Sequence, residues 1–71
     1  MELSKDIKGR ILFELYNNIG RVDEHSLNYA VRGYSDYLIG YLDECYKDKY
    51  PDKGVAYATG QRVGRMYDYV G

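Results

Sequence analysis

Cys45 and His25 are the first residues to test for chemistry, because a thiolate beside an imidazole is a simple nucleophile–base pair. Each type occurs once in the 71 residues. On one continuous helix the two would stand about 30 Å apart, at 1.5 Å of rise per residue, too far to act together. Cys45 falls on an apolar stripe, and free cysteine is among the most buried residue types. His25 falls in a first helical turn, where the dipole disfavours an imidazolium. The two also fall short of the four ligands of a structural zinc. Asp23-Glu24 and Asp43-Glu44 are adjacent pairs. Neighbours on a helix point about 100° apart, so these carboxylates do not converge for acid–base work. Asp43 and Lys47 instead fit the favourable acid-before-base spacing. The run Gly60-Gln61-Arg62-Val63-Gly64-Arg65 lacks the Gly-Lys-Ser/Thr ending of a P-loop and the strand before a dinucleotide fingerprint. Neither catalysis nor a cofactor or metal is expected.

The other chemical resource is tyrosine, with ten copies. Each brings a large apolar body and one polar tip, a combination enriched at interaction hot spots. Helical-wheel positions place Tyr34 and Tyr41 at the core edge. Tyr29, Tyr37 and Tyr57 fall on or near polar faces, and Tyr67 and Tyr69 lie near the exposed C-terminal end. Phe13 falls off its helix's apolar stripe. These residues, with Arg62 and Arg65, are the candidate partner contacts: Phe13, Tyr29, Tyr37, Tyr57, Arg62, Arg65, Tyr67 and Tyr69.

Composition bounds what such residues can serve. Ten basic and eleven acidic residues leave a net charge of −1, and the pI is near 5.7. Residues 1–36 carry five basic and six acidic side chains and residues 37–71 carry five of each, so there is no basic tail or acidic arm. A dedicated binder of nucleic acid or anionic membrane normally shows a basic excess. A single cysteine excludes an intramolecular disulfide framework and fits a reducing cytosol. No apolar run approaches the roughly 20 residues of a membrane span. The opening Met-Glu-Leu-Ser-Lys-Asp does not read as a signal peptide. A cytoplasmic location is expected. One small domain over 1–71 is also expected, with a core that rarely supplies more than about 3–5 kcal/mol.

Three segments must position the candidates. Ser4 reads as an N-cap, followed by Ile7, Ile11, Leu15 and Ile19 at steps of four, with Leu12 and Tyr16 widening the stripe. Gly20 supplies the stop. Asp23 caps a second segment, in which Leu27, Val31, Tyr34, Leu38, Tyr41, Leu42 and Cys45 recur at steps of three and four, within one arc of about 100°. This predicts a helix over 24–49, ending before Pro51, with a break near Gly33 as the alternative. Val55, Thr59, Val63, Met66 and Val70 favour a third helix over 53–70, capped by Asp52, above a hairpin turning at Gly60-Gln61. The predicted fold is an all-α three-helix bundle, about 4–19, 24–49 and 53–70.

Ala56, Gly60 and Gly64 form a row of small residues beside the third stripe, which lets two helix backbones approach closely. Packing within the chain accounts for it. Together with Gly33 and Gly40, the row could also form a self-association seam giving a homodimer or small oligomer.

These features favour a non-catalytic helical module that binds another protein through a tyrosine-rich face, occluding or tethering it. An accessory or inhibitory protein, for instance one carried by a phage or other mobile element, would have this profile. The alternative is a small helix-turn-helix or winged-helix-like DNA-binding regulator, with a break at Gly33-Tyr34, a recognition helix from Ser35 and a wing after Pro51. That helix would present Asp36, Asp43 and Glu44, with only Lys47 and Lys49 at its far end, a poor phosphate-facing surface. A structural assembly subunit is the third class.

Overall fold

A computed structural model describes residues 4–41 and 46–68. The elements are α1 (Lys5–Ile19), α2 (Glu24–Leu38), α3 (Tyr46–Lys49) and α4 (Pro51–Asp68). The fold is all-α, a small helical bundle. The predicted segments at Leu42–Cys45 and Tyr69–Val70, including Cys45 and Tyr69 themselves, lie outside the described residues.

Both early caps form from the predicted residues. Ser4 Oγ accepts from the Ile7 N–H at 3.2 Å, and Asp23 Oδ1 accepts from the Ser26 N–H at 2.7 Å. Each satisfies a donor that the first helical turn would otherwise leave open. The Ser26 bond also holds the Asp23 carboxyl below its usual pKa of 3.8. Gly20, at φ +81°, closes α1, and its N–H donates to the Tyr16 carbonyl at 2.8 Å.

The second predicted helix runs through Gly33 without a break, as expected, but it is corrected at its end: it stops at Leu38 rather than continuing to residue 49. Gly40 is the reason, at φ +81°. Its N–H donates to the Tyr37 carbonyl at 3.0 Å, and the Tyr41 N–H donates to the Asp36 carbonyl at 2.8 Å. These paired bonds are a Schellman stop, which needs a residue that enters the left-handed region without a Cβ clash. The hydropathy stripe continues past Leu38, but the backbone turns away, so Leu38, Ile39 and Tyr41 are exposed. α2 has no break at Gly33-Tyr34, and residues 51–68 are helical.

The third predicted helix forms as α4, and begins earlier. Pro51 is its first residue and Tyr50, not Asp52, stands at the cap position. Proline suits that place because its missing N–H has no intrahelical partner to lose. The Tyr50 carbonyl accepts from the Gly54 N–H at 2.7 Å and closes the first turn.

The core gathers Ile11 and Leu15 of α1, Ala30 and Tyr34 of α2, and Ala56 and Val63 of α4. Most packing is between α2 and α4. There the backbones approach through glycine from both sides. A Cβ on Gly33 would strike the Tyr57 carbonyl, and one on Gly60 would strike the Ala30 carbonyl and stand 2.8 Å from the Tyr34 nitrogen. A Cβ on Gly64 would be 3.0 Å from the Tyr37 ring. The small-residue row is therefore consumed inside the chain: Gly33, Ala56, Gly60 and Gly64 are buried between α2 and α4, and Gly40 makes the turn. Within the chain these contacts use Gly33, Ala56, Gly60 and Gly64 of the predicted seam, whereas Gly40 stays exposed. The hydroxyl of buried Thr59 joins α1 to α4 by accepting from Asn18 Nδ2 at 3.0 Å, while donating to the Val55 carbonyl at 2.7 Å.

Candidate functional site

The close crossing of α2 and α4 carries a group of aromatic rings at one end. On α2, Tyr29, Arg32 and Asp36 follow at steps of three and four and share a face. Beyond the turn, Tyr46, Tyr50, Lys53 and Tyr57 repeat at steps of four, three and four, so the stripe passes through Pro51 from α3 into α4. The short α3 lies directly on Gly54, where a Cβ would be 2.9 Å from the Lys47 Cβ. That seat brings the Tyr46 ring flat onto Tyr57, with centroids 3.9 Å apart and planes 12° from parallel.

The rings continue outward from this stack. Tyr46 meets Tyr50 at 4.8 Å and Tyr29 at 6.5 Å. His25 meets Tyr29 edge-on at 5.0 Å. Tyr57 is only 1% exposed, which overturns its predicted place on a polar face. Its hydroxyl donates to Asp36 Oδ2 at 2.7 Å, so the buried phenol has the partner it needs. Tyr57 therefore anchors the group, and Tyr50 and Tyr41, at 47% and 54% exposure, present its accessible faces.

Charge surrounds the rings. Lys53 Nζ lies 5.1 Å from the Tyr29 ring centre and 5.8 Å from that of Tyr50, within cation–π range. Hydrogen bonding to Tyr29 holds the Lys53 ammonium above its usual pKa of 10.5. Burial pushes the Tyr46 phenol above 10.0, so it stays neutral at physiological pH. Between these groups is an open cleft of about 260 Å³, lined by Tyr29, Arg32, Asp36, Tyr41, Tyr46, Lys49, Tyr50 and Tyr57.

The predicted contacts divide among different places. Tyr29 and Tyr57 meet at the cleft. Tyr37 is half-buried over Gly64. Phe13 and Tyr67 are exposed and line a second, broad hollow with Asp6, Gly9 and Arg10. The Arg10 guanidinium lies 5.4 Å from the Phe13 ring centre. Arg62 and Arg65 are exposed on α4 and line neither hollow. The sequence reading missed Tyr46, Tyr50, Arg32, Asp36, Lys49 and Lys53, and it placed Tyr41 at the core edge, whereas Tyr41 is exposed at the cleft. The Tyr46–Tyr50–Lys53–Tyr57 spacing was the available signal, hidden by treating Pro51 as a boundary between unrelated elements.

Among the described residues, no group of three or more His, Cys, Asp or Glu side chains could hold a metal ion, and no helix is long and apolar enough to cross a membrane. Comparison with known proteins returns no match, whether to family models, to curated proteins or to solved structures.

Proposed function

We propose that this chain is a non-catalytic binding module that docks a partner protein at the aromatic cleft. One observation carries the reading: five tyrosines from α2, α3, α4 and their connections converge on one open cleft, with Tyr57 and Tyr46 buried beneath and Tyr41 and Tyr50 accessible. A rigid aromatic floor with exposed rings above it offers large contact area at small cost in side-chain entropy, and such clusters mark partner sites on small proteins. The module acts by covering or tethering what it binds.

The test is co-purification from the native host with wild type and the Tyr41→Ser/Tyr50→Ser double variant. Both side chains are half-exposed, so helicity by circular dichroism is expected to be unchanged while partner capture is lost. Capture that survives the double variant but fails in a Phe13→Ser/Tyr67→Ser variant would move the docking surface to the other hollow and overturn the reading.

A further inference from the structure

We propose that the outer face of α1 is a self-docking surface, on which a second copy of this chain pairs antiparallel about a two-fold axis. The face shares no residue with the aromatic cleft, so the inference goes beyond docking there and stands apart from it.

Three observations carry it. Two aromatic side chains, Phe13 and Tyr16, project from α1 at 56% and 64% exposure, and large exposed apolar groups gathered on one face mark interaction sites. The second is an unfilled position. Glycine in a helix interior is disfavoured relative to alanine, yet a Cβ on Gly9 would meet nothing within 4 Å. Unlike Gly33 and Gly60, Gly9 gains no contact inside the chain in return. It lines the broad hollow, of about 420 Å³, with Asp6, Arg10, Phe13 and Tyr67. The third is self-complementarity. Phe13 follows Gly9 by about one helical turn, so a knob and a hole stand side by side. Turning a second α1 end for end, about an axis level with Ile11, lays Phe13 of each copy over Gly9 of the other. That is the isologous pattern, in which each contact occurs twice. At ~100° per residue, Gly9 and Phe13 lie within ~20° of the face's midline, with Asp6 and Asn17 on one flank and Lys5 and Tyr16 on the other. The same axis brings Asp6 within one residue's rise of Asn17 of the second copy, an acceptor beside an amide donor, and Lys5 as near to Tyr16, a cation beside a ring. All four are exposed. Arg10, which the axis brings near its own copy, is already paired with Glu14 at 2.8 Å. A face of one helix is smaller than a standard interface, so the dimer is weak and depends on concentration.

The experiment is sedimentation equilibrium of the pure chain over a concentration series, with Gly9→Leu, Phe13→Ser and an equimolar mixture of the two variants. Wild type is expected to pass from the mass of one chain to that of two. Gly9→Leu fills the hole and Phe13→Ser removes the knob, so each alone is expected to weaken self-association about tenfold or more. Leucine favours a helix over glycine and enters open space at Gly9, so a dimer lost in Gly9→Leu is not a fold lost, and circular dichroism checks both variants. In the mixture, a heterodimer sets leucine against serine at one contact and keeps Gly9 against Phe13 at the other. The two-chain mass is therefore expected to return. Wild type that stays at one mass at every concentration would overturn the inference, as would association that neither variant weakens, or a mixture that stays monomeric. Isotope-filtered spectra on wild type give the last outcome. Phe13 ring protons that reach Gly9 across the filter support the pairing. Phe13 ring protons that reach only residues 69–71 of their own chain would show the hollow filled from within and overturn it.

Discussion

The two ends of the α2–α4 pair solve different problems with opposite residue types. At the crossing, Gly33 and Gly60 let each helix press its backbone against the other's carbonyl. At the aromatic end, Tyr46 of α3 stacks on Tyr57 of α4, and an open cleft lies beside them. A core of few large aliphatic side chains gains order from backbone contact, where almost nothing can move. Small residues set the frame and large ones make the site.

Substitutions at the crossing should have the largest effect. Gly60→Ala places a methyl against the Ala30 carbonyl, a backbone atom that cannot swing aside. Overpacking of this kind costs about 1–3 kcal/mol or more, against a total stability of roughly 3–5 kcal/mol for a core this small. A thermal melt should show a severely lowered or missing transition, despite alanine's better helix propensity. At the aromatic end the effect should be intermediate. Tyr57→Phe keeps the stacked ring and removes the hydroxyl with its hydrogen bond to Asp36, with an expected loss of about 1.5–2 kcal/mol in urea unfolding. An equal loss from both variants would erase the distinction between frame and site. The smallest effect is a gain. Gly9 has open space around it on α1, so Gly9→Ala should stabilise by about 0.5–1 kcal/mol. The opposite signs at Gly9 and Gly60 separate propensity from contact.

A pH titration sharpens the frame from another side. The Asp23 carboxyl is held below its usual 3.8 by the Ser26 N–H, so its folded-state pKa is the lower one. The cap's contribution is present above about pH 4 and fades as pH falls through the folded value. Asp23→Ala should be less stable than wild type at neutral pH, and the two should converge in acid.

Much of the frame was legible in the chain. Ser4, Asp23 and Gly20 act as the caps and stop that their types imply, and the α1 stripe of Ile11 and Leu15 is fully buried. The longer stripes misled in a consistent way. Hydropathy centred α2 on Leu27, Val31 and Leu38, but the buried line is Ser26, Ala30, Gly33 and Tyr34. Its α4 stripe holds at Thr59 and Val63, which are buried, but Val55 is exposed, and Ala56, Tyr57, Gly60 and Gly64, off the stripe, are buried too. A wheel weighted by side-chain hydropathy cannot see an interface made by backbone, because glycine scores as neutral wherever it faces. The helix predicted over 24–49 runs through Gly40, whose backbone freedom instead ends it. The site was less legible still: Arg32, Asp36 and Tyr57 come together only after that turn folds α3 and α4 back along α2.

The central claim is that the glycine contacts join α2 to α4 within one molecule. Isotope-filtered nuclear Overhauser spectra on a mixture of ¹³C/¹⁵N-labelled and unlabelled chains test it directly. Gly60 α-protons should show strong effects to Ala30 and Tyr34 within the labelled chain and none across the filter. Signals appearing only between labelled and unlabelled molecules would contradict the account, making the row a seam between copies.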